Sequence, residues 1–442
     1  MLFKTIRFLS IIAILVFIVS CDNNIGNSQN VTHSYLAEPT GKYGVGFQDF
    51  HWVNKNAGVD PFYNGNNDDF SPDNQENHYH EIVARIYYPT AEHGISAYYK
   101  PEIQFYQNAF NAFMKVYGFI TPEQIQELGS LKSYSMPSAS IINDKKFPVL
   151  LFSPGYSATS QHYENLITEL VSQGYIVVAI SSTFINPVEL SNGHIVQFIP
   201  YNGTTAAEVL EDIDKRFIPL QEADLSFVFN EIYILHNSNP IFSTMDLSHI
   251  GAFGHSLGGK TVADVAHAHP EWFQAAASLD LHPDTDGASV APFKIPFMHE
   301  IAAARNVPSK WTGPSKYIHN FSLGENGYLV TLSPNEKDWD YSQHDDFSNT
   351  STYQFMPVFQ IVYDWDKKQG NPQVGNGNGW DRTHAINKYL VKFFDTYLKD
   401  QVEDGFVKCN ALSINSYETK KPVVNTYIKC GRSTVVVVPF LQ

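Results

Sequence analysis

Two hydrophobic periods take turns along this chain. Residues 82–88 alternate apolar and polar as a half-buried strand does, and Pro89 ends the run. Residues 148–153 form a short apolar strand that breaks at Pro154-Gly155-Tyr156. Tyr163, Leu166, Ile167, Leu170 and Val171 then recur at helical spacing until Gly174. Residues 175–181 are apolar almost without interruption, which predicts a strand covered by helices on both faces of its sheet. Residues 206–235 read as mostly helical, with Leu225, Val228, Phe229, Ile232 and Leu235 in one stripe. Short strands are expected at 250–253, 274–280, 294–300 and 328–333, and a helix over 383–400 puts Ile386, Leu390, Phe393, Phe394 and Tyr397 on one face. Strand and helix alternate, and the sum is an α/β architecture: a mostly parallel, doubly wound sheet with helices on both faces.

The stretches outside this pattern set the domain boundaries. Residues 21–40, dominated by Asn, Ser and Gln, read as a flexible tether, and the globular body begins at Gly41-Lys42-Tyr43-Gly44. Residues 56–77 are rich in Asn, Asp and Gly without the ligand order of a calcium loop, and read as a surface loop. Residues 103–117 predict an aromatic-faced helix, while 187–205 and 369–380 read as irregular loops. The body runs to about residue 404. Beyond it, β-prone runs around Cys409 and Cys430 and over 434–438 predict a small β-rich extension at 405–442. His78-Tyr79-His80-Glu81 could turn two imidazoles to one strand face, but no third ligand is in view, so these read as polar residues at a strand start and no metal is expected.

Composition narrows the class of partner. The 442 residues are 43% hydrophobic, enough for one large core, and the formal net charge of −16 repels phosphate backbones, so nucleic acid is an unsuitable ligand. Lys4 and Arg7 precede an apolar run at 8–19 that is short for a membrane span and suits a signal-peptide core over residues 1–20. The run ends in Ile18-Val19-Ser20-Cys21, which resembles a bacterial lipobox. Cys21 is therefore the expected lipidation site, anchoring an exported protein to a membrane of the cell envelope without a spanning helix. Outside the reducing cytoplasm, the remaining Cys409 and Cys430 are candidates for a disulfide.

The candidate chemistry centres on Gly254-His255-Ser256-Leu257-Gly258, a G-x-S-x-G between an apolar strand and a small-residue helix. A serine at so sharp a corner needs side-chain-free neighbours two residues before and after, where strand and helix pass closely. Ser256 is too weak a nucleophile alone and needs a histidine oriented by a carboxylate. In the α/β-hydrolase order the acid and then the histidine follow the serine at later strand ends. Asp280, closing Ala275-Ala276-Ala277-Ser278-Leu279, is the expected acid, with Asp284, Asp286 and Glu300 as weaker candidates. His344 is the expected base. His384 opens an amphipathic helix, and His255, His282 and His299 sit where the backbone aims them elsewhere. The N–H groups of Leu257 and Tyr156 are the expected oxyanion-hole donors, with Gly155 letting that turn come close.

Gly41 to Asp49, Arg85-Ile86-Tyr87-Tyr88-Pro89, Phe152-Ser153-Pro154-Gly155-Tyr156, the elbow, Leu279-Asp280 and His344 with Phe347 together resemble the plasma-type platelet-activating-factor acetylhydrolases, the lipoprotein-associated phospholipase family, over about residues 41–400. The resemblance implies an α/β-hydrolase with a Ser256-Asp280-His344 triad, hydrolysing short or oxidised acyl chains of phospholipid esters through an acyl-enzyme, without calcium or other cofactor. Pro154-Gly155-Tyr156 stands where that family usually has His-Gly and is nearer the turn of bacterial polyester hydrolases and cutinase-like enzymes, which makes such a carboxylesterase the alternative. A non-catalytic binding lipoprotein is the further alternative, and a missing triad member would favour it; all three candidates are present.

Overall fold

The apolar runs at 148–153 and 175–181 lie side by side in the interior of a sheet. The computed structural model describes residues 36–95, 132–281, 293–305, 327–332, 340–353, 367, 372, 374–376 and 378–399, and the backbone of 425–430 and 434–439. In chain order the strands are β1 (Gly44–Val59), β2 (Tyr79–Thr90), β3 (Ser135–Pro137), β4 (Phe147–Ser153), β5 (Ile176–Ser182), the short β6 (Val188–Glu189) and β7 (Ile195–Val196), β8 (Met245–His255), β9 (Ala275–Leu279), β10 (Phe297–Ala302), β11 (Gly327–Leu332), β12 (Asn425–Cys430) and β13 (Thr434–Pro439). All but β6 and β7 form one sheet in the order β13-β12-β11-β10-β9-β8-β4-β5-β2-β1-β3. The strands from β5 across β4 and β8 to β11 are parallel, and β2 joins β5 antiparallel. Every residue of β5 is buried, as its near-continuous apolar sequence leads one to expect.

Each face of the sheet has its own apolar layer. On one, Leu225, Val228, Phe229 and Ile232 of the helix Ile218–Leu235 meet Val262, Ala263, Val265 and Ala266 of the helix Leu257–Ala268. On the other, Leu166, Ile167, Leu170 and Val171 of the helix Glu164–Ser172 meet Ile386, Leu390, Phe393 and Phe394 of the helix Gly379–Leu398. The helical stretch 206–235 is not uniform. Pro219 offers no N–H to the turn before it, and the backbone widens to a π turn over Ile213–Phe217.

One expectation changes, and another gains its place in the sheet. The segment read as a surface loop buries Phe62 and Phe70 in a third apolar cluster with Phe184, Val209 and Phe217, because two aromatic residues are enough to dock a loop whose composition is otherwise polar. The β-rich C-terminal extension packs on the body through its described strands, β12 and β13. β12 pairs antiparallel with β11, Tyr328 opposite Cys430 through Leu332 opposite Thr426, and β13 pairs with β12, so both strands continue the central sheet. Covering the edge of β11 in this way satisfies its backbone groups. The predicted helix over 103–117, Cys21 and Cys409 lie outside the described residues.

His80, read as part of a polar strand start, is fully buried between two carboxylates. Nδ1 lies 2.5 Å from Asp60 Oδ2 and Nε2 2.9 Å from Asp224 Oδ2, tying the docked loop and the helix Ile218–Leu235 to β2. Burial alone would lower its pKa, but Asp224 and Asp60 outweigh it and push it up to about 10. The folded pKa exceeds the unfolded one, so the stabilisation is complete below about pH 6.5 and is lost as pH rises through about 10. His80→Gln is expected to cost about 3–5 kcal/mol at pH 7. Thermal melts between pH 6.5 and 10 should show a decline in the unsubstituted protein that the variant largely lacks.

Candidate active site

The site assembles where the chain changes direction across the sheet. β5 follows β4 on one side and β8 lies on the other, so the carboxyl ends of β4 and β8 form a crevice at a topological switch point. Ser256 stands at the end of β8 with φ 54° and ψ −117°, a conformation that costs a non-glycine residue about 1–3 kcal/mol. The glycines allow it. A Cβ on Gly254 would stand 2.2 Å from Gly258 O, and one on Gly258 would stand 2.1 Å from Ser153 O. The Ser256 N–H donates to Leu279 O at 3.0 Å, which fixes the corner to the end of β9.

The structure brings Ser256, His344 and Asp280 together in a line. His344 Nε2 is 2.9 Å from Ser256 Oγ, and His344 Nδ1 is 2.5 Å from Asp280 Oδ2. Asp280 is buried, and its Oδ1 accepts the Ala302 N–H at 3.1 Å, so the carboxylate is held from both sides. His344 begins a 3-10 turn, His344–Phe347, closed by Asp346, whose Oδ2 accepts the Gln343 N–H at 2.8 Å and the Gly375 N–H at 2.9 Å. Asp346 also pairs with Arg382 of the helix Gly379–Leu398 at 2.9 Å, both side chains fully buried. Burial raises the Asp346 pKa even with Arg382 alongside. Ser342 completes the anchorage: its hydroxyl donates to Leu332 O at 2.6 Å and accepts the Ala303 N–H at 2.7 Å. The loop carrying the imidazole is thus tied to β11, to β10 and to a helix.

Two amides face the same corner. The N–H groups of Ser157 and Ser256 are committed to Ile185 O and Leu279 O, whereas among the described residues those of Tyr156 and Leu257 have no partner. Leu257 opens a helix, where the first N–H groups have no acceptor within the helix and the dipole favours negative charge. The side chains of both residues belong to the third apolar cluster. Tyr156 stacks on Tyr201 with ring centroids 4.1 Å apart, and its hydroxyl donates to Ile199 O at 2.5 Å. The loop at 184–201 therefore sets the position of the turn that carries one of the two donors.

The other candidates are elsewhere. Glu300 is fully buried on β10, and among the described residues its carboxyl oxygens have no hydrogen-bond partner; burial pushes its pKa well above the ordinary value, and the carboxylate that meets His344 is that of Asp280. His299 is buried against Ser278 at 2.7 Å, and His384 bonds Trp380 O within its own helix at 2.7 Å. Asp284, Asp286 and His282 lie outside the described residues. His255, expected to aim elsewhere, does leave the Ser256 hydroxyl to His344, but its ring bonds Tyr163 and the His344 carbonyl. Tyr163, Asp346 and Arg382 carried no motif that would single them out. Among the described residues, no group of three or more His, Cys, Asp or Glu is arranged to hold a metal ion.

Comparison with known proteins agrees with this architecture. The family model for platelet-activating factor acetylhydrolase, isoform II, matches residues 31–183, so the resemblance read from the sequence is borne out over the stretch that ends at β5 and includes the Pro154-Gly155-Tyr156 turn. A ferulic acid esterase from Streptomyces cinnamoneus has a similar structure, with a TM-score of 0.57 and 20% identity over 84% of this chain and 94% of that one. No curated protein sequence matches. The fold is that of the α/β-hydrolases, and the matches support an ester hydrolase built on it.

Proposed function

We propose that the protein is an exported serine esterase that hydrolyses short-chain acyl esters, with phospholipids bearing short acyl chains as the substrate class. The observation that carries this reading is His344 Nε2 at 2.9 Å from Ser256 Oγ with its other nitrogen on Asp280, beside two amides that have no partner among the described residues. Ser256 Oγ attacks the ester carbonyl carbon while His344 Nε2 takes the hydroxyl proton. The carbonyl oxygen becomes an oxyanion that accepts the N–H groups of Tyr156 and Leu257. The C–O bond to the leaving alcohol then breaks as His344 returns the proton to it, leaving an acyl-Ser256 ester. Water, deprotonated by His344, attacks this ester and releases the carboxylic acid and the free serine. Asp280 holds His344 in the tautomer that leaves Nε2 able to accept.

The family match over residues 31–183 supports the acetylhydrolase-like choice of substrate, and the lipobox-like Ile18-Val19-Ser20-Cys21 supports lipid attachment at Cys21, which would hold the enzyme at the bacterial cell envelope beside its lipid substrates. The Pro154-Gly155-Tyr156 turn and the feruloyl-type neighbour favour a second reading, a carboxylesterase of polyesters or bulkier esters. Hydrolysis of a p-nitrophenyl ester series of rising acyl length, by the full chain in detergent without added calcium, separates the two. The proposal expects kcat/KM to fall steeply beyond short acyl chains and short-chain phospholipids to be cleaved. A preference for long or polymeric esters would replace it with the second reading, and no turnover of any ester by folded protein would overturn both.

A further inference from the structure

The residue before the nucleophile links two turns that flank Ser256. Gly155, in the turn carrying one unpartnered amide, donates its N–H to the Tyr163 hydroxyl at 3.1 Å. That hydroxyl lies 2.9 Å from His255 Nδ1, and His255 Nε2 lies 3.0 Å from the backbone carbonyl oxygen of His344. Tyr163 and His255 are both buried. The direction of each bond follows from its ends. An amide N–H can only donate and a carbonyl oxygen can only accept, so Nε2 of His255 carries the proton given to His344 O. The Tyr163 oxygen already accepts from Gly155, and its own proton goes to a bare Nδ1. The chain therefore runs Gly155 N–H to Tyr163 O–H to His255, and from His255 Nε2–H to the His344 carbonyl, with His255 as the neutral Nε2-protonated tautomer.

We propose that His255 is a positioning residue that fixes the oxyanion turn, the nucleophile corner and the His344 loop relative to one another through this one-way chain. The inference rests on the serine-esterase reading. Its ring also lies against those of His344 and Phe347, with centroids 4.6 Å and 6.0 Å away. A neutral ring is what that neighbour requires, because His344 becomes an imidazolium at each proton transfer and a second cation alongside would oppose it. Space enforces the arrangement too. A Cβ on Gly155 would come 3.1 Å from the Tyr163 hydroxyl, 3.3 Å from Ser256 Cβ and 3.4 Å from His255 Nδ1. The chain joins the turn after β4, the end of β8 and the turn that begins at His344.

The test compares His255→Ala, His255→Gln, Tyr163→Phe and the Tyr163→Phe/His255→Ala double variant in the full chain, each checked for folding by thermal melting. Displacing the base or the oxyanion donors by about 1 Å costs on the order of 100-fold, so His255→Ala is expected to lower kcat about 10–100-fold with KM within about twofold. The glutamine amide can still donate to the His344 carbonyl and should recover part of the loss. Tyr163→Phe should lower kcat alone yet add nothing in the alanine background, because the chain is already broken there. Losses that multiply as independent effects, a raised KM at unchanged kcat, or folded variants with kcat within twofold would overturn the proposal. Nitrogen-15 chemical shifts of the His255 ring give a readout independent of turnover: Nε2 protonated and Nδ1 bare at pH 7 is expected, and the opposite tautomer or an imidazolium would overturn the proposal. If the unsubstituted protein hydrolyses no ester, the esterase reading fails, whereas this ring assignment still decides whether the chain exists.

Discussion

Replacing Ser256 with alanine is expected to lower kcat about a million-fold, to the residual level that binding and oxyanion donors alone provide, without unfolding the protein. The hydroxyl is the only group in the line that can form a bond to the acyl carbon, since His344 is hydrogen-bonded at both nitrogens and Asp280 is buried. Stability should not suffer. At φ 54° a serine and an alanine carry the same Cβ and the same backbone cost, and the lost hydroxyl is bonded to a partly exposed imidazole. Ser256→Gly should melt higher than either, because it removes the Cβ from that conformation. The measurement is p-nitrophenyl acetate hydrolysis beside thermal melting. Ester turnover within tenfold of the unsubstituted protein by a folded Ser256→Ala variant would remove Ser256 from the chemistry.

The parts of the site that could be read in the sequence are those where local sterics or chain order leave one solution. Gly254 and Gly258 flank a serine at the only spacing that lets β8 and the following helix pass, and the structure puts backbone oxygens where their side chains would be. Asp280 and His344 follow in the order the fold imposes, Asp280 directly after β9 and His344 farther along the chain from β11, which ends at Leu332. Gly155 identified the turn with the unpartnered Tyr156 amide. What escaped the sequence reading is non-local. Tyr163 and His255 are 92 residues apart, and His255 meets the His344 carbonyl across 89. Asp346 and Arg382 look like two surface charges until the 3-10 turn and the helix Gly379–Leu398 bury them against each other. Phe62 and Phe70 vanish into a polar composition, although they help enclose the cluster that holds Tyr156 and Leu257. The β-prone tail was legible as strands, but pairing with β11 depends on which sheet edge is open, and no local pattern states that.

Asp280→Asn is expected to lower kcat about ten-thousandfold while preserving the geometry of the site, a loss caused by a misplaced proton. The aspartate is held by two different groups: Oδ1 accepts the Ala302 N–H at 3.1 Å, and Oδ2 meets His344 Nδ1 at 2.5 Å. In the asparagine the oxygen must stay on the Ala302 N–H, because an amide nitrogen cannot accept from it. The NH2 group is thereby turned toward His344 Nδ1 and donates to it. That nitrogen must then be bare, the ring proton moves to Nε2, and Nε2 can no longer take the proton of Ser256. Asp280→Ala leaves the ring free to adopt either tautomer and should lose less than the isosteric variant. Glu300→Gln is the control one strand away. Among the described residues its carboxyl oxygens have no hydrogen-bond partner, and burial raises its pKa, so kcat should stay within about threefold, as for a substitution that touches no reacting group. Steady-state rates on p-nitrophenyl acetate at pH 7 decide between these outcomes. A small effect at Asp280 with a large one at Glu300 would move the orienting role to the neighbouring strand and require His344 to turn away from the position in which it meets Ser256.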